Sequence, residues 1–314
     1  MPEGQYYHNN VTTPSVLITG GSGLIGRYLT SLLLERGYRV AHLSRSVNQF
    51  GVVRVFRWNP ENQILDPVVF DSIDYVVHLA GTNVGQSRWT VERKKEIISS
   101  RVESAVLLHK VVSENKITLK AFISASGVNY YGSVTSDKIF SEDDPPSSDF
   151  MGTVCRLWEH SADLFQESGI RTVKLRQGVV LEKNNNALTK MMMTEKFGFL
   201  ARTGIGNQYM PWVHISDLCN IYLKAIEDDT MTGSYNAVSP QHTTHSDFVN
   251  ELGRVLKKTV IPIPAFTVRM MFGEMSVIAL KGSRVSSKKI IDSGYRFVFD
   301  DLHEALEDIF SNPT

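Results

Sequence analysis

Apolar residues along this chain switch between continuous short runs and helical spacing, and the switches mark out the elements. Val16 to Thr19 is a short apolar run that stops at a glycine cluster, as a buried parallel strand ending in a tight turn does. From Leu24 to Glu35 the apolar residues Leu24, Ile25, Tyr28, Leu29, Leu32 and Leu33 return at helical spacing, and Gly37 stops the helix. Arg39 to Ser44, Val52 to Arg57 and Tyr75 to Leu79 read as the next strands. A long helix follows over about Val91 to Glu114, then a strand at Ala121 to Ala125. A helix over about Thr153 to Glu167, closed by Gly169, leads to a strand at Thr172 to Leu175. Strands alternating with helices predict a right-handed, doubly wound parallel sheet.

The texture changes after about residue 182. KNNN at Lys183 to Asn186 reads as a loop, and MMMTEKFGF as a short helix with an apolar surface. Met210 to Leu218 returns to strand-then-helix. The two prolines of Ile261 to Phe266 exclude a regular helix there. Asp301 to Phe310 is amphipathic, with Leu302, Ala305, Leu306 and Ile309 on one stripe. The expected fold is α/β, a Rossmann-type doubly wound parallel sheet with a smaller C-terminal α/β cap. Residues 1–14 read as a polar, disordered leader. Residues 15–182 are expected to form the Rossmann-type domain, completed by about 203–240. Residues 183–202 and 241–314 form the substrate-side cap and tail domain.

Composition narrows the function classes. Lysine plus arginine and aspartate plus glutamate both number 33, so net charge gives no reason to expect nucleic acid or an anionic membrane as partner. No apolar run approaches the ~18 residues of a membrane span, and the first residues lack the pattern of a secretory signal. The two cysteines, Cys155 and Cys219, fall in helical segments and make neither a disulfide framework nor a metal site. A cytoplasmic protein acting on a small molecule is expected.

Thr19 to Gly26 reads TGGSGLIG. Gly21, Gly23 and Gly26 fit G-x-G-x-x-G, and Gly20, Gly23 and Gly26 fit the related G-x-x-G-x-x-G. Such glycines make the turn, let backbone approach a pyrophosphate, and let helix pack on strand. The phosphates then sit at the positive end of the helix that starts near Gly23. The same loop also serves as a plain strand-to-helix turn, but it follows a strand and opens a helix, as the nucleotide site requires. NAD binders place an acid about 20 residues past the loop to grip the ribose hydroxyls. This chain has Ser44, Arg45 and Ser46 there and no acid nearby. An arginine with two hydroxyls suits a 2′-phosphate, hence NADP(H), although a solvated arginine at a strand end is common.

These landmarks, with HLAG at His78 to Gly81 and PWVHISDL at Pro211 to Leu218, resemble the extended short-chain dehydrogenase/reductase (SDR) superfamily. Arg88-Trp89-Thr90, Arg93-Lys94, Ser100-Arg101-Val102, Tyr130-Tyr131-Gly132, Trp158-Glu159 and Arg176 to Val180 narrow the resemblance. So do PIPAFTVRMMFGEM and GYRFVFDDLHEAL near the C-terminus. They point to the "epimerase family protein" branch (NAD-dependent epimerase/dehydratase-like), which has its own tail domain. The resemblance covers nearly the whole chain after residue 14. It implies a cofactor site made by Gly20, Gly21, Ser22, Gly23, Leu24, Ile25 and Gly26, with Ser44, Arg45 and Ser46 after the second strand. Leu79, Ala80 and Gly81 would lie under the adenine and ribose. Arg101, Ala125, Gln177, Gly178 and Val179 complete the set.

SDR enzymes work with Ser or Thr and a Tyr-x-x-x-Lys pair, in which tyrosine moves the proton and lysine lowers its pKa and binds the ribose. No Tyr-x-x-x-Lys occurs in this chain. Counting back from Glu159 puts Met151 and Cys155 at those positions. Ser126 stands at the serine position, or is a strand-end hydroxyl bonding nearby backbone. Tyr130 and Tyr131 are the substitute proton donors, or are aromatic packing. His214 is a further candidate base with a structural alternative. Arg88 and Arg101 suit an anion, or are solvated helix arginines. The function expected is an NADP(H)-dependent oxidoreductase or epimerase acting on a small molecule without the usual pair. The alternative is a catalytically silent NADP(H)-binding redox sensor or regulator.

Overall fold

A computed structural model describes residues 13–46, 51–183 and 186–311; most of the expected leader, residues 1–12, lies outside them. The first half contains β1 (Ser15–Thr19), α1 (Leu24–Glu35), β2 (Arg39–Ser44), β3 (Arg54–Arg57), β4 (Tyr75–His78), α2 (Val91–Glu114), β5 (Ala121–Gly127), β6 (Ile139–Phe140) and α3 (Phe150–Glu167). The second contains β7 (Arg171–Gln177), β8 (Val179–Leu181), α4 (Asn186–Met191), β9 (Phe199–Thr203), β10 (Trp212–His214), α5 (Ile215–Glu227), β11 (Gly233–Ala237) and α6 (His245–Leu256). β12 (Thr259–Ile263), α7 (Ala265–Phe272), α8 (Val277–Leu280), β13 (Arg284–Val285), α9 (Lys288–Asp292) and α10 (Leu302–Ser311) end the chain.

Seven strands form one parallel sheet in the order β11-β7-β5-β4-β1-β2-β3. The order reverses at β1: the chain goes one way to β2 and β3, then crosses back to β4 on the other side. The loops that leave β1 and β4 diverge to opposite faces and open a crevice at the carboxyl edge. Alternation along β1 shows why both faces are covered. Val16 and Ile18 pack into the core under α1 and α5, and Leu17 into the core under α2 and α3.

A third core lies beyond the sheet. Leu188, Leu200, Met210, Trp212, Phe248, Leu252, Leu302 and Leu306 join α4, β9, β10, α6 and α10. Two-stranded parallel pairs, β10 with β8, β12 with β9 and β13 with β6, thread these segments together. Asp217 ties the last stretch down: its fully buried carboxylate accepts from Tyr295 Oη at 2.7 Å and from the N–H groups of Val298 and Phe299 at 2.9 Å.

The elements differ from the sequence expectation mainly at their ends. α3 begins at Phe150 because Asp149 caps it, accepting from Gly152 N at 2.7 Å. The helix expected within MMMTEKFGF lies earlier, at Asn186–Met191, and only a 3₁₀ turn at Glu195–Phe197 follows it. The proline-rich stretch divides: Pro262 sits in β12, which pairs with β9 on one side, and α7 starts after Pro264. Among the described residues, no helix is long and apolar enough to cross a membrane.

Candidate functional site

The glycine loop is held by contacts that differ at each glycine. Gly20 has φ +72°, a conformation that L side chains rarely adopt, and a Cβ there would stand 3.0 Å from the Leu79 backbone and 3.1 Å from Ala80 N. A Cβ on Gly21 would stand 2.5 Å from the His42 ring, and one on Gly26 would stand 2.6 Å from Gly20 O. These two glycines therefore serve packing within the protein. Gly23 differs: it is exposed, it is the N-cap of α1, and a Cβ there would meet only Gly20 O at 3.2 Å. With exposed Ser22 it leaves the first-turn N–H groups of α1 facing outward, the arrangement that accepts a phosphate.

Two buried histidines brace this loop. Thr19 Oγ1 accepts from the N–H groups of Leu79 and Ala80, both at 3.1 Å, so its own proton goes to His78 Nδ1 at 2.8 Å. That leaves the imidazole proton on Nε2, toward the Arg101 carbonyl and Ser104 Oγ, each at 3.3 Å. Thr30 Oγ1 donates to Gly26 O at 2.6 Å and receives His42 Nε2–H at 2.8 Å. Burial pushes both histidines down to about 4, so both are neutral under the loop.

At the end of β2, Ser44 is half-buried and Arg45 and Ser46 are exposed. Sequence reasoning missed Arg57: the β2–β3 register sets it level with Ser44. Leu79, Ala80 and Gly81 leave β4 beside the loop. Ala125 is buried in β5. Gln177 ends β7, where its Nε2 donates to Tyr222 Oη at 2.8 Å. A Cβ on Gly178 would stand 2.6 Å from Pro211 O, so glycine lets the chain pass close to that segment, and Val179 N then donates to the same carbonyl at 2.7 Å. The sheet thus brings these candidates to one edge.

Of the candidate proton donors, Ser126 and Tyr131 have their hydroxyls bonded within the protein. Ser126 is buried and its Oγ donates to Glu159 Oε1 at 2.7 Å. Glu159 also holds Arg176 with two bonds, Nε to Oε1 at 2.8 Å and Nη2 to Oε2 at 2.9 Å. Tyr131 is 2% exposed; its hydroxyl donates to Asn236 Oδ1 at 2.7 Å and accepts from Arg176 Nη1 at 2.9 Å. Burial raises its pKa far above the ordinary tyrosine value. Both hydroxyls are consumed in a closed network. Tyr130 remains half-buried at the edge, with the Arg176 guanidinium 3.5 Å from its ring centre. Burial raises its pKa too, and Arg176 opposes the rise. In the sequence Glu159 and Arg176 stand only as residues of the family resemblance, with no sign that they pair.

Three other candidates separate. Arg88 donates to Met270 O and Met271 O at 3.1 and 2.8 Å, so it caps the C-terminal end of α7 instead of facing an anion. His214 Nδ1 caps α5, accepting from Ser216 N at 3.3 Å, which makes it a helix cap in place of a candidate base. Arg101 is no solvated helix arginine: it is buried beside Gly81. Met151 packs with Trp89, Ile97 and Val154. The buried Cys155 thiol is pushed up to about 12 by desolvation. Among the described residues, no group of three or more His, Cys, Asp or Glu side chains could hold a metal ion.

A parallel sheet with a glycine loop at its switch point defines a Rossmann-type nucleotide-binding protein. Residues 16–237 match the profile of the NAD dependent epimerase/dehydratase family, and residues 263–309 match a domain of unknown function, DUF1731. The chain belongs to the NAD dependent epimerase/dehydratase family, in the branch of relatives called epimerase family proteins. The mouse epimerase family protein SDR39U1 is 35% identical over 299 residues, covering 94% of this chain and 99% of that one. The crystal structure of human SDR39U1 isoform 2 with NADPH superposes with a TM-score of 0.84 at 31% identity, over 95% of this chain and all of that one. A Corynebacterium glutamicum nucleoside-diphosphate sugar epimerase gives 0.77 at 28% identity, over 95% of this chain and 58% of that one.

Proposed function

We propose that this chain is an NADP(H)-dependent oxidoreductase or epimerase that acts on a small molecule without a Tyr-x-x-x-Lys pair. The observation that carries the reading is the exposed N-terminus of α1 behind Gly23, set beside a β2 end with Ser44, Arg45 and Ser46 and no acid. The residues fit the cofactor. First-turn N–H groups of α1 suit the pyrophosphate, and Arg45, with Arg57 level with Ser44, suits the 2′-phosphate. The human relative solved with NADPH supports this choice. Leu79, Ala80 and Gly81 line the adenosine side, and Ala125, Gln177, Gly178 and Val179 lie toward the reacting end. A bound nicotinamide supplies or accepts hydride. In this reading Tyr130, half-buried and still protonated at neutral pH, donates the proton. The relative described as a nucleoside-diphosphate sugar epimerase makes such sugars the first substrates to try. Two buried, protonated thiols suit a reducing compartment such as the cytoplasm.

The test is turnover of nucleotide sugars, ketones and alcohols with NADPH or NADP, followed by absorbance and by product chromatography. Slow conversion is expected, falling ~10²–10⁴-fold in Tyr130→Phe. Conversion unaffected by that change overturns the role of Tyr130. A second reading, a silent NADP(H) sensor, is favoured by the closed network that consumes Ser126 and Tyr131. It predicts tight NADPH binding with no conversion of any substrate.

A further inference from the structure

Arg101 lies on α2 with 9% of its surface exposed. Its guanidinium donates to Thr82 O from Nη2 and to Ile97 O from Nη1, both at 3.0 Å, and sits 4.9 Å from the centre of the Trp158 ring. Carbonyls and an aromatic face offer partial charge only. Among the described residues, the ionisable groups that act on it are the protonated Cys155 thiol, the neutral His78 ring and the like-charged Arg93, none of them an anion. Arg176 shows the contrast: it is also buried, but it has both oxygens of Glu159. Burial holds Arg101 down to about 10, so it is still a cation at neutral pH. A buried cation without an anion is costly, and removing it to water is not open to a side chain packed this way.

Its location says what completes it. A Cβ on exposed Gly81 would stand 2.9 Å from Arg101 Cζ, so glycine at 81 is what gives the guanidinium its room. Gly81 follows Leu79 and Ala80, whose backbone touches Gly20 of the loop. On the other side, Cys155 Sγ lies 3.7 Å from where a Gly127 Cβ would be, at the end of β5. The charge therefore stands between the ends of β4 and β5, next to position 155.

We propose that Arg101 supplies from α2 the fixed positive charge that a lysine at position 155 would bring from α3, and that a phosphate group of a molecule bound in the cleft completes it. This rests on the cofactor reading above. The phosphate belongs to the cofactor or to a nucleoside-diphosphate substrate, and two titrations separate them. NADPH is titrated into the free protein, and uridine diphosphate into the NADPH-saturated protein, for the parent, Arg101→Met and Arg101→Lys. Melting temperatures are taken without ligand and with NADPH.

Arg101→Met should weaken one of the two ligands roughly 10–100-fold, with Arg101→Lys losing less than Arg101→Met because it keeps a charge but not the planar fork. Loss in the NADPH arm assigns the cofactor's phosphate; loss in the diphosphate arm assigns the substrate's. The ligand-free melting temperature of Arg101→Met should stay level or rise, since an uncompensated charge has gone. Unchanged affinity in both arms overturns the proposal. So does a fall in the ligand-free melting temperature with ligand affinity intact, which marks a purely structural cation. A parent protein that binds no NADPH removes the cofactor reading itself, and this inference with it.

Discussion

Ser126 Oγ donates to Glu159 Oε1 at 2.7 Å, and both residues are buried. The serine at the end of β5 thus steadies the carboxylate that balances Arg176. Ser126→Ala should lower stability by about 1–2 kcal/mol and leave NADPH affinity unchanged. Glu159→Ala should cost about 3–5 kcal/mol, because Arg176 is then left buried and unpaired. Urea unfolding measures both. A Ser126→Ala protein of full stability would show that this bond contributes nothing.

Gly21 and Gly23 are two residues apart but should fail in opposite ways. Gly21→Ala sets a methyl group against the His42 ring and should lower the melting temperature. Gly23→Val meets only Gly20 O, 3.2 Å from its Cβ, so the protein should still fold and lose nucleotide binding, because the side chain stands where a phosphate would approach. A folded Gly23→Val protein with parental NADPH affinity would place the pyrophosphate elsewhere.

What the sequence made legible here was local. Turn glycines and the helical stripe of Leu29 and Leu33 are set within a few residues of each other, and the bounds of α1 and α2 follow from that spacing. The partners of Ser126 and Tyr131 were not legible because Glu159 and Asn236 lie 33 and 105 residues away. Arg88 finds its carbonyls 182 and 183 residues on, across the cap. Arg57 required the β2–β3 register, which periodicity does not give.

His78 should make the fold acid-sensitive. Its pKa falls from 6.5 to about 4 on folding, so between those values the unfolded chain binds more protons than the native one. Stability therefore drops as pH falls below 6.5 and levels off near 4. At ~1.4 kcal/mol per pH unit, the loss reaches about 3 kcal/mol for this residue. His42 adds to it with the same sign. His78→Gln should flatten part of the acid limb in denaturant midpoints read from pH 7 to pH 4. An unchanged limb would place the titrating groups elsewhere.

Cys155 and Cys219 are buried, and burial pushes each thiol up to about 12. Neither should react with iodoacetamide at pH 8 in the native protein, and both should react in denaturant. Mass spectrometry counts the adducts. Rapid native labelling of Cys155 would mean that the α3 face beside β5 opens.

The central claim is a 2′-phosphate site at the end of β2, and paired titrations of NADPH and NADH into the parent and Arg45→Ala proteins test it most directly. The parent should bind NADPH more tightly, and Arg45→Ala should cost roughly 1.5–3 kcal/mol toward NADPH and little toward NADH. Equal affinity of the parent for the two cofactors, or an unchanged NADPH affinity in Arg45→Ala, would contradict it.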